Sequence, residues 1–284
     1  MNYGSCRENR RAGAVARGGV VRVFLAALLA VAAAPAGAHG AAALERSPCR
    51  DLSFAGVAHT VCEIDLRRYR IDLHWRDADG RPYGSLGALE RALAGQGRRI
   101  VVSMNAGMYE EDLSPAGLFV KAGQTQHPVN TRKGGGNFYM KPNGIFFIHR
   151  GGAGVAETQA FLHRRIRAEI ATQSGPLLVT AGRLHPRFKA DGDSRKIRNG
   201  VGVRRDGVVV LAISRQGISF GRFAELFRDV LRCPDALYLD GSVSRLSVDG
   251  AAGTSLSPEI GGFLSRKIGP IISVEERNSA SAKF

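Results

Sequence analysis

The sequence has few of the residues that mark several classes of protein. Four of its 284 residues are cysteines, too few for a disulfide miniprotein, and 36 are glycines, far from the roughly one in three of a collagen. A hydrophobic content of 44% also excludes a disordered chain. What remains is a globular protein, and a mature part of about 245 residues can bury one substantial core.

Several common catalytic and nucleotide-binding motifs are also missing. The chain has no H-E-x-x-H, no P-loop lysine pattern and no G-x-G-x-x-G that opens a helix. It has no C-x-x-C, and its histidines do not show spacings typical of a shared metal. We therefore predict no cofactor and no metal site. The histidines worth testing are His127 and His185, each of which precedes a proline in a turn.

The first 38 residues have the pattern of a secretory signal peptide. An arginine-rich stretch precedes an apolar run that ends near Ala34, and an A-x-A site follows at 36–38. The apolar run is shorter than the roughly 20 residues that span a bilayer. We expect a signal peptide over 1–38, a linker over 39–47, a periplasmic or secreted protein, and no stable membrane insertion after leader cleavage. An uncleaved membrane anchor is the alternative.

The cysteines allow one disulfide in an oxidising compartment. Cys6 lies in the leader, so Cys49, Cys62 and Cys233 remain for pairing. The pair Cys49 and Cys62 is favoured because the closure entropy of a loop grows with its length, and this loop is short. Cys233 follows a predicted helix and is expected to be a buried thiol.

Most of the chain reads as short strands between glycine-rich turns. Two hairpins are predicted, one joining 59–66 to 69–75, the other joining 201–205 to 208–214 through Asp206-Gly207. Further strands are expected at 99–104, 117–121, 136–140, 144–149, 153–158, 236–239 and 270–274. Because strands are many and connections short, we predict a single α+β domain over 48–276, with a mixed, largely antiparallel sheet core and a few flanking helices. A polar tail is expected over 277–284.

Two helices are expected beside the sheet. The first is capped by Ser85 and runs to about Ala94. The second covers 219–232, and its apolar stripe must pack on a sheet. The stripe consists of Phe223, Leu226, Phe227, Val230 and Leu231.

Five runs place small polar residues at the ends of apolar strands. They are Met104-Asn-Ala-Gly-Met108, Lys141-Pro-Asn-Gly144, Thr172-Gln-Ser-Gly-Pro176, Ser194-Arg-Lys-Ile-Arg-Asn-Gly-Val-Gly202 and Tyr238-Leu-Asp-Gly-Ser242. Taken singly, such runs are typical of ordinary turns. Asp240 is the exception, because an apolar strand that leads into a carboxylate followed by glycine is a usual way to present a buried acid or base.

Together the five runs resemble the phosphodiester glycosidase family, with its N-acetylglucosamine-1-phosphodiester alpha-N-acetylglucosaminidase-like domain, over about 60–275. Within the family the likeness is to a bacterial exported subgroup. The resemblance implies that Asn105 and Gly107 line the site and that Ser174-Gly175-Pro176 forms a backbone wall. It also implies that Arg198 and Asp240 are the family's arginine and aspartate. The family's more common aspartate-triple-glycine-serine run is changed here, since Ser242 and Val243 replace two glycines and add bulk near the site.

The resemblance predicts a hydrolase that cleaves the glycosidic bond of a sugar-1-phosphodiester or a related envelope or exopolysaccharide glycan. Asp240 would activate water or stabilise the oxocarbenium-like centre, while Arg198, with Arg195 or Lys196, would neutralise the departing phosphate. Asn105 and Asn143 would bind sugar hydroxyls. The catalytic candidates are therefore Asp240 and Arg198, and the substrate-binding candidates are Asn105, Gly107, Asn143, Ser174, Gly175, Arg195, Lys196, Asn199, Gly241, Ser242 and Ser244.

Two other functions fit the same residues. The first is a non-catalytic glycan-binding or polysaccharide-assembly protein on the same scaffold, since a fold does not guarantee an activity. The second is an ordinary glycosidase, which needs a second acid such as Glu110, Glu111 or Asp112. Nucleic acid is not expected as a partner despite the net charge of +15, because export argues against it.

Overall fold

A computed structural model describes residues 47–241, 243–249 and 266–277. The predicted signal peptide, the linker up to residue 46, Ser242 and residues 278–284 of the predicted tail lie outside the described residues. Across the described ranges, no helix has both the length and the apolar character needed to cross a bilayer.

The largest sheet has seven strands, and its neighbours all pair antiparallel. In order across the sheet they are β1 (Cys49–Phe54), β2 (Val57–Ile64), β13 (Val209–Ser214), β12 (Asn199–Val203), β14 (Asp235–Asp240), β10 (Leu177–Thr180) and β11 (Arg183–Leu184). The apolar run of β13 is buried along its whole length, because this strand is central and both of its faces are covered.

Two smaller sheets complete the strand framework. The four-stranded sheet has the order β15 (Leu246–Val248), β4 (Ile100–Asn105), β16 (Ile271–Glu276), β3 (Tyr69–His74). The five-stranded sheet has the order β6 (Gln124–His127), β5 (Phe119–Lys121), β9 (Ile170–Ser174), β7 (Gly144–His149), β8 (Gly152–Glu157). Their strands pair antiparallel as well, so the largely antiparallel core is confirmed, while no parallel pair occurs among the described strands.

One hydrophobic core joins the three sheets. Leu211 from the seven-stranded sheet, Val102 from the four-stranded sheet and Phe146 from the five-stranded sheet belong to the same buried cluster, and each is fully buried. Burying such side chains contributes roughly 1.5–3 kcal/mol each. The sheets are thus held face against face, and this arrangement brings their strand ends together.

The helices cover the outer faces of the sheets. They are α1 (Leu86–Ala94), α2 (Thr158–His163) and α3 (Phe220–Glu225), and α3 continues as a π-helical turn over Leu226–Val230. Ser85 caps α1, as expected, and Ser219 caps α3. The stripe of α3 packs on the seven-stranded sheet, except that Val230 is 42% exposed. The wider π turn shifts the helical period, so the spacing that predicted its burial no longer holds.

The predicted hairpin between 59–66 and 69–75 is wrong. Strand β2 pairs with β1 and β13, whereas β3 belongs to the four-stranded sheet and pairs with β16. A strand offers only two edges for hydrogen bonding, and both edges of β2 are occupied, so β3 must find a partner elsewhere. The second predicted hairpin is confirmed, because β12 and β13 pair around Asp206-Gly207 with Val203 opposite Val209.

The strand predicted at 136–140 is a sequence of bends and turns. Gly136 has a φ of +79°, which an extended strand does not accommodate. The carbonyl of Phe138 accepts a hydrogen bond from the amide of Asn143 at 3.1 Å, so the segment folds back on itself. The phenyl ring of Phe138 is buried, which explains the apolar signal.

The disulfide joins Cys49 and Cys62, which lie opposite each other in β1 and β2. Cys233 is a free, buried thiol, as the sequence predicted. Burial raises the pKa of Cys233 to about 12, so this thiol stays protonated and unreactive at neutral pH.

Removing the disulfide is expected to destabilise the protein by about 3 kcal/mol, the loop-closure entropy of a ring of this size. The Cys49→Ala, Cys62→Ala double variant should therefore unfold at a lower urea concentration than the wild type. As a control, a reducing agent should lower the midpoint of the wild type and leave that of the double variant unchanged. Equal midpoints for the oxidised wild type and the variant would contradict the expectation.

Candidate active site

The polar strand ends meet where the three sheets adjoin. Strand β4 ends at Asn105, β12 begins at Asn199 and β14 ends at Asp240. The five-stranded sheet is tied to the other two by Ser174 Oγ, which donates to the Leu239 carbonyl at 2.9 Å, and by Thr172 Oγ1, which donates to the Ala106 carbonyl at 3.2 Å. Segments distant along the chain thus converge on one point.

The carboxylate of Asp240 is held by an asparagine pair from two sheets. Asn105 Nδ2 donates to Asp240 Oδ2 at 3.2 Å, and the Gly241 N–H donates to Oδ1 at 2.6 Å. Asn199 Oδ1 accepts from the Asp240 N–H at 2.9 Å, while Asn199 Nδ2 donates to Asn105 Oδ1 at 2.8 Å. Donors aimed at both oxygens stabilise the carboxylate anion and fix its direction.

The orientation of both amides is determined by their partners. Asn105 Oδ1 accepts from two donors, Asn199 Nδ2 and the Arg245 N–H, the latter at 2.9 Å, so Nδ2 is the atom that faces Asp240. Ser244 Oγ donates to the Asp240 carbonyl at 2.8 Å and ties down the next turn. Asn105 and Asn199 are fully buried. Their amides bond to Asp240 and to each other, and the sugar-binding role of Asn105 stays a prediction.

Arg198 lies in the protein interior. Its guanidinium donates to the carbonyls of Ile218 at 2.9 Å and Ser194 at 2.7 Å, and its Cζ lies 3.5 Å from the centre of the Phe220 ring. The side chain is fully buried. In this position Arg198 does not reach solvent, so it does not present the charge to a phosphate as the sequence led us to expect.

Tyr238 connects Arg198 to the acid. Arg198 Nη1 donates to the Tyr238 hydroxyl at 3.3 Å. The same hydroxyl lies against Gly241, where a Cβ atom would overlap it. Arg198 is thus bonded to Tyr238, which adjoins Gly241, and the Gly241 N–H donates to the Asp240 carboxylate.

A cleft of about 780 Å³ opens beside Asp240, which is 4% exposed at its wall. It is lined by Pro82, Met108, Tyr109, Glu110, Glu111, Asp112, Leu113, Asp240, Val243, Arg266 and Lys267. Val243, one of the two residues predicted to replace family glycines, thus lines this cleft. The cleft is large enough for a sugar with its attached group.

Two cations and a tyrosine line this cleft together with Asp240. Arg266 and Lys267 supply positive charge on its wall, and the Tyr109 hydroxyl donates to the Lys267 carbonyl at 2.9 Å. Burial and the negative charge of Asp240 raise the pKa of Tyr109 to about 12. Tyr109 therefore remains a neutral hydrogen-bonding group at neutral pH.

The three acids considered for an ordinary glycosidase line the same cleft but are exposed. The side chain and backbone of Ser114 donate to Asp112 Oδ1 and lower the pKa of Asp112. A general acid must hold its proton at the working pH. Asp112 is thus poorly suited to that role.

The remaining candidates lie at the edges of the site or behind it. Asn143 is fully buried, with its amide bonded to the Phe138 carbonyl, Lys141 and Thr158, and Gly175 packs closely against it. A Cβ atom on Gly107 would lie 3.1 Å from Thr172 Oγ1, so this glycine allows close packing of two sheets. Arg195 and Lys196 are exposed on the loop before Arg198. Ser242 lies outside the described residues.

The two histidines singled out from the sequence are structural. His185 Nε2 donates to the Lys141 carbonyl at 3.0 Å, and its ring stacks on Phe188. His127 Nδ1 donates to the Gly117 carbonyl at 2.8 Å. Neither histidine lines the cleft beside Asp240.

The sequence reasoning missed four residues of the site, namely Tyr109, Tyr238, Arg266 and Lys267. A signal for the last two was present, because the run Ser-Arg-Lys-Ile occurs at 194–197 and again at 265–268. Only the first of these runs is predicted from the sequence to be part of the site. Tyr238 carried no polar signal, since it lies inside an apolar strand.

Known proteins match most of this chain in sequence. A model of the family described as phosphodiester glycosidase matches residues 98–275. The uncharacterized protein YigE of Escherichia coli is 35% identical over 189 residues, which cover 66% of this chain and 74% of that protein.

Solved structures share the fold. The catalytic domain of zebrafish N-acetylglucosamine-1-phosphodiester alpha-N-acetylglucosaminidase, auto-inhibited by its pro-peptide, superposes with a TM-score of 0.57 at 15% identity, covering 81% of this chain and 82% of that chain. A hypothetical protein from Synechocystis gives a TM-score of 0.52 at 16% identity, covering 81% of this chain and 61% of that chain. At these identities the likeness is one of fold alone.

Gly241→Ala is expected to destabilise the protein by about 1–3 kcal/mol, because the new methyl group would overlap the Tyr238 hydroxyl. The cost should be smaller in a Tyr238→Phe background, where that oxygen is gone. Urea unfolding of the four proteins of this cycle measures both values. As a control, Gly95→Ala meets nothing closer than 3.5 Å and should change the stability by less than about 0.5 kcal/mol. Equal costs in the two backgrounds would show that the tyrosine does not restrict residue 241.

Proposed function

This chain belongs to the phosphodiester glycosidase family, and from that premise we propose that it hydrolyses the bond between an anomeric carbon and phosphate. The substrate class is a sugar-1-phosphodiester or a related envelope or exopolysaccharide glycan. The observation that carries the proposal is the cleft in which the fixed carboxylate of Asp240 faces the same space as Arg266 and Lys267.

The chemistry of this bond suits a site with one positioned acid. Cleavage at the anomeric carbon releases a phosphate monoester, whose second pKa is about 6, so the leaving group needs little protonation. Ordinary glycoside hydrolysis needs a second carboxyl group that is kept protonated. The lowered pKa of Asp112 argues against that second role.

Asp240 is the catalytic residue in this proposal. Its carboxylate faces the anomeric carbon, takes the proton of the attacking water and balances the positive charge that develops on the sugar. Water supplies the new C–O bond, and the electron pair of the broken bond leaves with phosphate. The Asn105 and Gly241 donors hold the carboxylate in this direction throughout.

Arg266 and Lys267 neutralise the phosphate. This assignment replaces the one expected for Arg198, because the guanidinium of Arg198 is enclosed by Ser194, Ile218 and Phe220. Arg198 is instead a positioning residue that acts through Tyr238 and Gly241. Charge-assisted contacts from an exposed lysine and an exposed arginine suit a phosphate that must bind and then leave.

The protein works outside the cytoplasm in this proposal. The disulfide between Cys49 and Cys62 supports this location, because disulfides persist in oxidising compartments and are rare in the cytosol. The signal-peptide pattern at the start of the sequence points the same way.

Asp240→Asn is expected to lower kcat on a sugar-1-phosphodiester by about 10²- to 10⁴-fold, because the amide cannot accept a proton. Release of reducing sugar at neutral pH measures the rate, and an unchanged thermal unfolding midpoint shows that the fold is intact. Asp235→Asn, at the opposite end of the same strand, is the matched control and should keep its activity. Wild-type activity in Asp240→Asn would remove Asp240 from the mechanism.

Arg266→Gln and Lys267→Gln should each raise KM about ten- to hundredfold, the value of a hydrogen bond to a charged group. Initial rates over a range of substrate concentrations test this. Arg67→Gln removes an equal charge from a side chain that is 89% exposed and paired with Asp65, so its KM should not change. A KM that rises equally little in all three variants would place the phosphate elsewhere. Saturable glycan binding without any product in the wild type would instead favour a non-catalytic role.

A further inference from the structure

A second cleft, of about 770 Å³, lies on the four-stranded sheet beside strand β3. Four cations line it. Three of them lie close together, namely Arg70 on β3, Arg98 before β4 and Lys121 at the end of β5, while the fourth, Arg76, lies over the ring of Trp75. None of them belongs to the cleft that contains Asp240. The second cleft is therefore a separate polar site.

The three cations surround a single buried carboxylate. Asp72 Oδ2 lies 3.4 Å from Lys121 Nζ, 3.6 Å from Arg98 Nη2 and 3.7 Å from Arg70 Nη2. These distances exceed those of charge-assisted hydrogen bonds, which are about 2.7–2.9 Å. One carboxylate therefore does not saturate the donors of three cations.

The neighbouring groups leave the positive charge in excess. Glu275 takes two hydrogen bonds from Arg98, at 2.9 and 2.5 Å, and lies opposite Arg70 where β16 pairs with β3. His74 Nδ1 accepts from Lys121 Nζ at 3.2 Å, so its Nε2–H donates to Ser273 Oγ at 2.9 Å. Burial and the nearby charge of Lys121 lower the pKa of His74 to about 3. His74 is thus neutral. The four cations of the cleft face Asp72, Asp77 and Glu275, so one positive charge is in excess.

Arg70 is the cation best placed to reach a ligand. Its side chain is 59% exposed, whereas those of Arg98 and Lys121 are 27% and 31% exposed. Lys121 Nζ is also held by the Leu73 carbonyl at 2.6 Å. The cleft therefore combines fixed cations at its base with an accessible arginine at its rim.

One loop separates this cleft from the catalytic cleft. Arg76 lines the second cleft and Pro82 lines the first, and these two residues pair as a β-bridge. A chain-like ligand that lies across the loop over 76–83 would thus meet both clefts.

We propose that the second cleft is an anion subsite that holds a further phosphate of the substrate, beyond the unit that is hydrolysed. The substrate class is then a polyanionic glycan whose units are joined by phosphodiester bonds, rather than a single sugar-1-phosphodiester. This assignment of the substrate rests on the proposed function, whereas the binding of an anion in the second cleft does not.

Anion binding can be tested without any enzymatic activity. Trp75 is the single tryptophan of the chain, it lines the second cleft, and the Cζ of Arg76 lies 3.9 Å from the centre of its ring. Titration with inorganic phosphate should therefore produce a saturable change in tryptophan fluorescence that sodium chloride at equal ionic strength does not produce.

Two arginine variants localise the effect. Arg70→Gln should weaken the apparent affinity for phosphate about tenfold, whereas Arg67→Gln, three residues earlier and equal in charge, should not. Unchanged thermal unfolding midpoints show that both variants are folded. The absence of a saturable fluorescence change in the wild type, or equal affinity in Arg70→Gln, would overturn the subsite.

Kinetics then connect the subsite to the substrate. Arg70→Gln should raise KM for a phosphodiester-linked glycan oligomer and leave KM for a single sugar-1-phosphodiester unchanged. If Arg70→Gln changes KM by the same factor for both substrates, the polymer assignment is overturned even where phosphate still binds. Absence of turnover on both, together with phosphate binding at Trp75, would contradict the proposed function and leave the anion site standing.

Discussion

The contact on which the rest of the site depends is the one between Asn105, Asn199 and Asp240. These side chains come from two sheets, and each uses its polar atoms on the other two or on nearby backbone. A buried polar group left without a partner costs about 1–3 kcal/mol of stability. Removing any one of these three side chains would therefore leave polar atoms of the other two without a partner. The same bonds that hold the two sheets together therefore fix the carboxylate that the proposed chemistry needs.

A second consequence concerns Arg198. A buried guanidinium is costly unless hydrogen bonds and rings enclose it, and here two carbonyls, a hydroxyl and the Phe220 ring do so. This enclosure is the reason for the different roles that we propose for the cations. Arg198 makes the site rigid, while Arg266 and Lys267 on the cleft wall supply charge that remains accessible.

Local patterns identified the strand ends that carry the site but did not show how the strands pair. Asn105 and Asp240 stood out because each ends an apolar run, and such ends are found where sheets adjoin. The wrongly predicted hairpin of β2 and β3 is an example. Strand β2 pairs instead with β1, which directly precedes it, and with β13, which lies far away along the chain. Alternation along a strand also does not reveal which sheet face meets solvent, so the burial of Arg198 could not be read from its sequence run. The π turn that exposes Val230 likewise left no signal in the spacing.

The separation of the three site residues along the chain bears on how the protein reaches its working form. Asn105 and Asp240 are bonded across 135 positions, and Asn105 and Asn199 across 94. Contacts of such long range form late, because the ordering of all the intervening chain must precede them. A partly folded molecule can contain nearly all of its strands while the Asp240 carboxylate is still not held in place. The proposed hydrolytic activity would then appear only when the sheets finally dock.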